Sequence, residues 1–307
     1  MQNGKDGLRE SVIPFGGKVD LNLKENTKSS GRRGPWDNLF IYYLQGSVQT
    51  HGRDMGKDFI GNWVEDGFSF LFFSGPADDI AGRLILEQSS LALVDSYTMS
   101  YGDWLGEIPA TINIGRFTLS PPWEEVNTFY LPSFGAFHIV LDPGVVFGTG
   151  THPTTRDCLE LMEQAFIRHP VQRALDLGCG TGLLALAAAK LKCPEILAVD
   201  FNGLAARTTL TNIRLNGYEK RILAIQGLAE DFVSVPADLL IANIHYAIME
   251  KILTAPGFLE KKQFILSGIL KSQAQKVENI LNDLPVTLIE KRNSNGVWHT
   301  FYGERNP

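Results

Sequence analysis

The chain has 307 residues, of which 44% are hydrophobic and 20% charged, with a formal net charge of −6. That is a globular balance, with room for two modest domains or one large one. No apolar run reaches the roughly 18 residues a membrane span needs, and the acidic balance gives no strong nucleic-acid signal, since such partners need basic surface.

Residues 1–36 hold few large apolar side chains, and seven basic and four acidic residues lie between Lys5 and Arg33. The expectation is a flexible tail, with a basic arm touching RNA as the sharper alternative. The opening MQNGKDGLRE has no apolar core, so it does not read as a secretory signal. Residues 37–105 read as a small α+β domain. LFIYYL from Leu39, GFSFLFFS (Gly67 to Ser74) and ALVDSYTM from Ala92 are strand candidates. PADDIAGRLILEQ opens on Pro76, has acids in its first turn, and places Ile80, Leu84 and Ile85 on one helical face. TINIGRFTLSPPW and FHIVLD predict strands of a bridging segment, residues 106–140.

From residue 141 to 307 the pattern alternates. ALDLG, ILAVD, ILAIQG, ADLLIAN and QFILSG are apolar runs ending in Gly, Asp or Asn, separated mostly by helical patterns such as LLALAAAKL and LAARTTLTNIRLNG. Buried parallel strands read as continuous apolar runs joined by helical crossovers. VTLIEKR and VWHTFYG, joined by NSNG, predict a closing hairpin. The fold class is α/β: five parallel strands plus an antiparallel hairpin. Cys158, Cys179 and Cys193 form an odd set without metal-ligand spacing, which predicts reduced thiols, a cytoplasmic location and no metal.

Two glycine-rich loops stand out: LDPGVVFGTGTHPTT (Leu141 to Thr155) and LDLGCGTG, which ends at Gly182. Together with SPPW (Ser120 to Trp123), Asp200, ANI (Ala242 to Ile244), LSGIL (Leu266 to Leu270) and Trp298, they make the chain from about Ile112 onward resemble the ribosomal protein L11 methyltransferases. The resemblance is much weaker before Leu105. It implies a class I methyltransferase Rossmann-like sheet with a small N-terminal recognition domain, and S-adenosylmethionine as cofactor. It also implies a protein N-methyltransferase whose partner is ribosomal protein L11 or a similar lysine-bearing protein. A same-fold enzyme acting on another protein, a glutamine amide or a small molecule is the alternative. A cofactor-binding module without catalysis, or a nicotinamide oxidoreductase, are further readings.

The site residues follow. Gly178, Gly180 and Gly182 let a strand end turn tightly into a helix. Position 183 is leucine, so the spacing is G-x-G-x-G rather than the G-x-G-x-x-G of dinucleotide sites. With Asp176 they are assigned to the cofactor. Asp200 ends the second strand, where a carboxylate can accept both ribose hydroxyls, or can instead cap a helix. The resemblance would place adenine at Gly227 with Leu228 and Ala229. The resemblance puts Thr155 on the cofactor; a helix cap at Thr154 or Thr155 is the structural alternative. His152 is either a base or a residue holding loop geometry. Asn243 and the Ile244 carbonyl are the catalytic pair, placed to accept amine hydrogens and aim the lone pair; Asn243 is also counted with the cofactor, and a helix cap is its structural alternative. After Asn243 and Ile244 the family pattern Leu-Ala-x-Pro is replaced by His245, Tyr246, Ala247 and Ile248. Asn-x-x-Tyr is similar to the Asn-Pro-Pro-Tyr motif of enzymes methylating planar nitrogens. His245 and Tyr246 are therefore substrate candidates, or Tyr246 is an ordinary helix residue.

Overall fold

The computed structural model describes residues 34–106, 111–124 and 136–307. The expected tail lies largely outside the described residues, as do parts of the bridge.

Residues 38–105 form a four-stranded antiparallel sheet in the order β2-β3-β1-β4, built from β1 (Asn38–Gln45), β2 (Phe59–Glu65), β3 (Phe68–Phe73) and β4 (Ala92–Ser100). Helices α1 (Asp78–Glu87) and α2 (Tyr101–Leu105) complete it. This is split β-α-β topology in which a loop replaces the first crossover helix. Tyr42, Leu44, Leu71 and Phe73 bury one sheet face against Ala77, Ala81 and Leu84. Strand β2 was not among the expected strands, because Gly61 and Asn62 interrupt its apolar run. Its hairpin signal was present as Asp66-Gly67, both at positive φ. The other face buries Leu39, Ile41, Phe70 and Phe72. Burial of such side chains stabilises by roughly 1.5–3 kcal/mol each, so this face is as much a core as the first.

The bridge supplies β5 (Ile112–Ile114), β6 (Phe117–Ser120) and β7 (Phe137–Val140), a three-stranded sheet.

The remainder is a seven-stranded sheet in the order β10-β9-β8-β11-β12-β14-β13. Its strands are β8 (Arg173–Leu177), β9 (Glu195–Asp200), β10 (Ile222–Gln226), β11 (Leu239–Asn243), β12 (Gln263–Leu270), β13 (Val286–Ser294) and β14 (Trp298–Arg305). The strands β8 to β12 run parallel, and β14 is antiparallel to both its neighbours. The helices are α3 (Pro153–Arg168), α4 (Leu183–Lys190), α5 (Gly203–Leu215), α6 (Tyr246–Thr254) and α7 (Lys271–Asn282). Alternate strand residues bury opposite faces. Ala174, Ile196 and Ile241 face α3 and α4, whereas Leu175, Leu240 and Leu266 face α6 and α7. Two-sided burial is why these strands are continuous apolar runs. The expected hairpin is present, with Asn295 and Gly296 both at positive φ. The chain order reverses direction between β8 and β11, and open α/β sheets bind ligands beyond the carboxyl ends of the strands at such a switch point. Gly178 and Asn243 sit there.

Candidate active site

The two glycine-rich loops form one structural unit. Thr181 donates its backbone N–H to the Phe147 carbonyl at 3.0 Å and its hydroxyl to the Gly148 carbonyl at 2.7 Å. A Cβ on Gly180 would collide with the Phe147 carbonyl, and one on Gly178 with Ile244 Cγ2. Both glycines also have positive φ, so backbone and packing demand glycine together.

Asp200 is buried at the end of β9. Its Oδ2 accepts the Gly180 N–H at 3.0 Å and its Oδ1 the Asn202 N–H at 2.9 Å. Burial raises its pKa, and these two amides oppose the shift. The cap of α5 is Asn202, which accepts from the Leu204 N–H at 2.8 Å. Asp200 is therefore not that cap. Asp176 is fully buried, with Oδ2 accepting the Ala185 N–H at 3.1 Å in the first turn of α4. Gly182, the formal cap of that helix, has no side chain to supply such a bond. Asp176 Oδ1 has no hydrogen-bond partner among the described residues. Burial pushes the Asp176 pKa up to about 7.

At the other side of the switch point, Asn243 donates its amide to Thr155 Oγ1 at 3.4 Å. The Ile244 N–H is bonded to the Ser267 carbonyl at 3.2 Å. Gly268, at positive φ, leaves room for Asn243 Oδ1 and the Ile244 carbonyl. The α6 cap position falls on His245, not Asn243.

His152 caps α3: its Nδ1 accepts the Thr154 N–H at 3.3 Å and lies 2.7 Å from Thr154 Oγ1. The caps expected at Thr154 or Thr155 are thus displaced to His152. Its ring meets Phe147 and Trp298 edge-on, with centroids 5.2 and 4.9 Å away. Burial lowers its pKa. An imidazole that caps α3 and packs against Phe147 and Trp298 is in position to hold the loop's geometry.

Tyr246 sits on α6 with its hydroxyl donated to Glu250 at 2.9 Å and Lys276 Nζ 5.7 Å from its ring. These contacts run along α6 and across to α7. An ordinary helix residue would make such contacts; His245 is exposed beside it. Gly227 donates to the Asp200 carbonyl at 2.9 Å, which brings the third strand's end beside Asp200.

Two residues of α5 and the one that caps its C-terminus were missed. Thr209 donates to the Gly180 carbonyl at 2.9 Å. Asn212, fully buried, accepts the Asp142 N–H at 2.7 Å and donates to the carbonyls of Asp142 and Thr181. Asn216 bonds both the N–H and the carbonyl of Val140. The available signal was two amides spaced i, i+4 on one face of an amphipathic helix, where amides are poor formers.

The profile of a family described as ribosomal protein L11 methyltransferase (PrmA) matches residues 103–306. The chain belongs to this family. Ribosomal protein L11 methyltransferase of Listeria innocua is 37% identical over 196 residues, covering 62% of this chain and 59% of the relative. That of Desulfitobacterium hafniense is 35% identical over 209 residues, covering 66% and 65%. The crystal structure of a ribosomal protein L11 methylase from Lactobacillus delbrueckii subsp. bulgaricus superposes with a TM-score of 0.54 at 29% identity, covering 65% of this chain and 99% of that one. The chain spans about three fifths of the length of the first of these relatives. The match to this L11 methyltransferase family begins at residue 103, so most of the small domain lies outside it. Among the described residues no group of His, Cys, Asp and Glu could hold a metal ion, and no helix is long and apolar enough to cross a membrane.

Proposed function

We propose that the chain is an S-adenosylmethionine-dependent protein N-methyltransferase acting on lysine or N-terminal amines of ribosomal protein L11 or a similar lysine-bearing protein. The observation that carries it is the Asn243–Thr155 pair beside the interlocked glycine loops. Asp200, the Gly178–Gly182 loop and Thr155 would hold the cofactor. Asp176 lies buried at the head of the same loop, where it bonds the first turn of α4 and supports the loop from behind. When bound, the cofactor supplies an activated methyl group on a sulfonium. The chain's own task is then positioning. With the Asn243 amide N–H₂ directed at Thr155, its Oδ1 and the Ile244 carbonyl are left to accept hydrogens of a neutral amine and aim its lone pair. Both groups orient; neither takes the proton, which leaves to water before transfer. The cysteines are free and buried, which fits a reducing compartment such as the cytoplasm.

A second reading, another acceptor at the same site, is favoured by the small domain lying outside the family match and by the altered His245–Ile248 segment. Incubation with methyl-labelled S-adenosylmethionine and either purified L11 or a cell extract tests both. Label on L11 supports the first reading, label on another species the second. No transfer to anything, with cofactor bound, leaves a binding module.

A further inference from the structure

The small domain touches the candidate site along two routes. On the first, the Trp63 ring of β2 meets Phe201 edge-on, at 6.0 Å between centroids and 78° between planes. Phe201 directly follows Asp200. Beside it, β2 closes on α5 so tightly that a Cβ on Gly61 would lie 2.5 Å from Leu204 Cδ1. The Leu204 N–H bonds Asn202 Oδ1, the Asn202 N–H bonds Asp200 Oδ1, and Asp200 Oδ2 accepts the Gly180 N–H. On the second route, the buried Tyr101 of α2 donates its hydroxyl to the Gly144 carbonyl at 2.8 Å. The Gly144 N–H returns to Asp142 Oδ1, and Asn212 ties Asp142 to the Thr181 carbonyl. The two routes converge on adjacent residues of one loop, Gly180 and Thr181.

We propose that the small domain is a working part of the cofactor site: Trp63 and Tyr101 are positioning residues that hold Asp200 and the glycine loop in place, so a protein bound to the small domain changes cofactor affinity. This rests on the reading of Asp200 and Gly178–Gly182 as the cofactor site. Packed groups and hydrogen-bond chains carry coupling of this kind, and linkage makes it reciprocal: cofactor must alter partner affinity by the same factor. An independent recognition arm, the organisation expected from sequence, would show no such coupling.

The test uses the full chain and S-adenosylhomocysteine as calorimetric probe, with a thermal melt of each variant. Tyr101→Phe removes one hydroxyl and keeps the ring. Trp63→Ala removes the brace, Trp63→Phe restores an aromatic edge, and Leu86→Ala, on an exposed part of α1, is the control. Tyr101→Phe and Trp63→Ala are expected to weaken binding about tenfold, within the usual range of intersite coupling. Trp63→Phe should recover most of the loss, and Leu86→Ala should bind like the parent. Should Trp63→Ala fail to fold, Tyr101→Phe decides. A parent that binds the probe, with Tyr101→Phe and any folded Trp63→Ala binding equally well, overturns the proposal while leaving the cofactor site intact. A parent that does not bind overturns the site reading itself.

Discussion

The side-chain amide of Asn243 donates to the hydroxyl of Thr155 across 88 positions of sequence, 3.4 Å apart, tying the end of β11 to the first turn of α3. The bond fixes which end of the amide faces Thr155 and leaves Oδ1 on the other side, next to the Ile244 carbonyl and the gap kept open by Gly268.

Asn243→Ala removes one of two proposed amine acceptors. Turnover is expected to fall about 10²-fold, the cost of a misplaced reacting group, with cofactor affinity within a few-fold. Single-turnover kinetics beside calorimetry make the comparison. Full activity would remove Asn243 from the mechanism, and lost cofactor binding would place it mainly in the cofactor site.

Gly178→Ala is expected to destabilise the chain and to abolish transfer. A left-handed non-glycine residue costs roughly 1–2 kcal/mol, and the collision with Ile244 Cγ2 displaces the residue whose carbonyl is proposed to orient the amine. Denaturant midpoints and activity should fall together. A variant with parental stability and rate would show that Ile244 moves aside freely.

Asn212→Leu leaves the Asp142 and Thr181 backbone groups without their buried partner. Each unsatisfied group costs about 1–3 kcal/mol, so a clear drop in melting temperature is expected, and cofactor affinity should weaken as the glycine loop loosens. Unchanged melting would mean that water replaces the amide.

The Asp176 carboxyl keeps its proton up to about pH 7 in the folded chain because burial disfavours its charge. The unfolded chain releases it near pH 4. Folded protein therefore binds more protons over that interval, so this group's contribution to stability is intact below about pH 4 and falls as pH rises to about 7. The loss is on the order of a few kcal/mol. Asp176→Asn keeps an acceptor for the Ala185 N–H without a titrating charge. Urea unfolding from pH 4 to 8 should show a flatter profile for the variant; parallel profiles would contradict this.

Tyr246→Ala is expected to leave acceptor preference unchanged and to cost about 0.5–1 kcal/mol, the scale of an exposed cation–aromatic contact. The ring already meets Lys276, and the hydroxyl already meets Glu250. Altered relative rates on L11 and on any other labelled acceptor would place Tyr246 in the acceptor site.

The amino-acid sequence by itself determined the parallel sheet, its closing hairpin and the glycine loops. These follow from local chemistry: strands buried on both faces must be apolar throughout, and left-handed turns must carry glycine. Tertiary structure alone decided which side chain caps what. His152 took the cap expected at Thr154 or Thr155, and Asn202 took the one open to Asp200, because caps depend on the angle at which a chain enters its helix. Nor could pattern show that Asn212 and Thr209 clamp the glycine loop, or that Trp63 reaches Phe201. Those contacts join residues 29 to 138 positions apart, and such distances close only when separate layers pack. The packing of the small domain onto α5 is the same kind of fact: an apolar strand face needs cover, but composition does not say which element provides it.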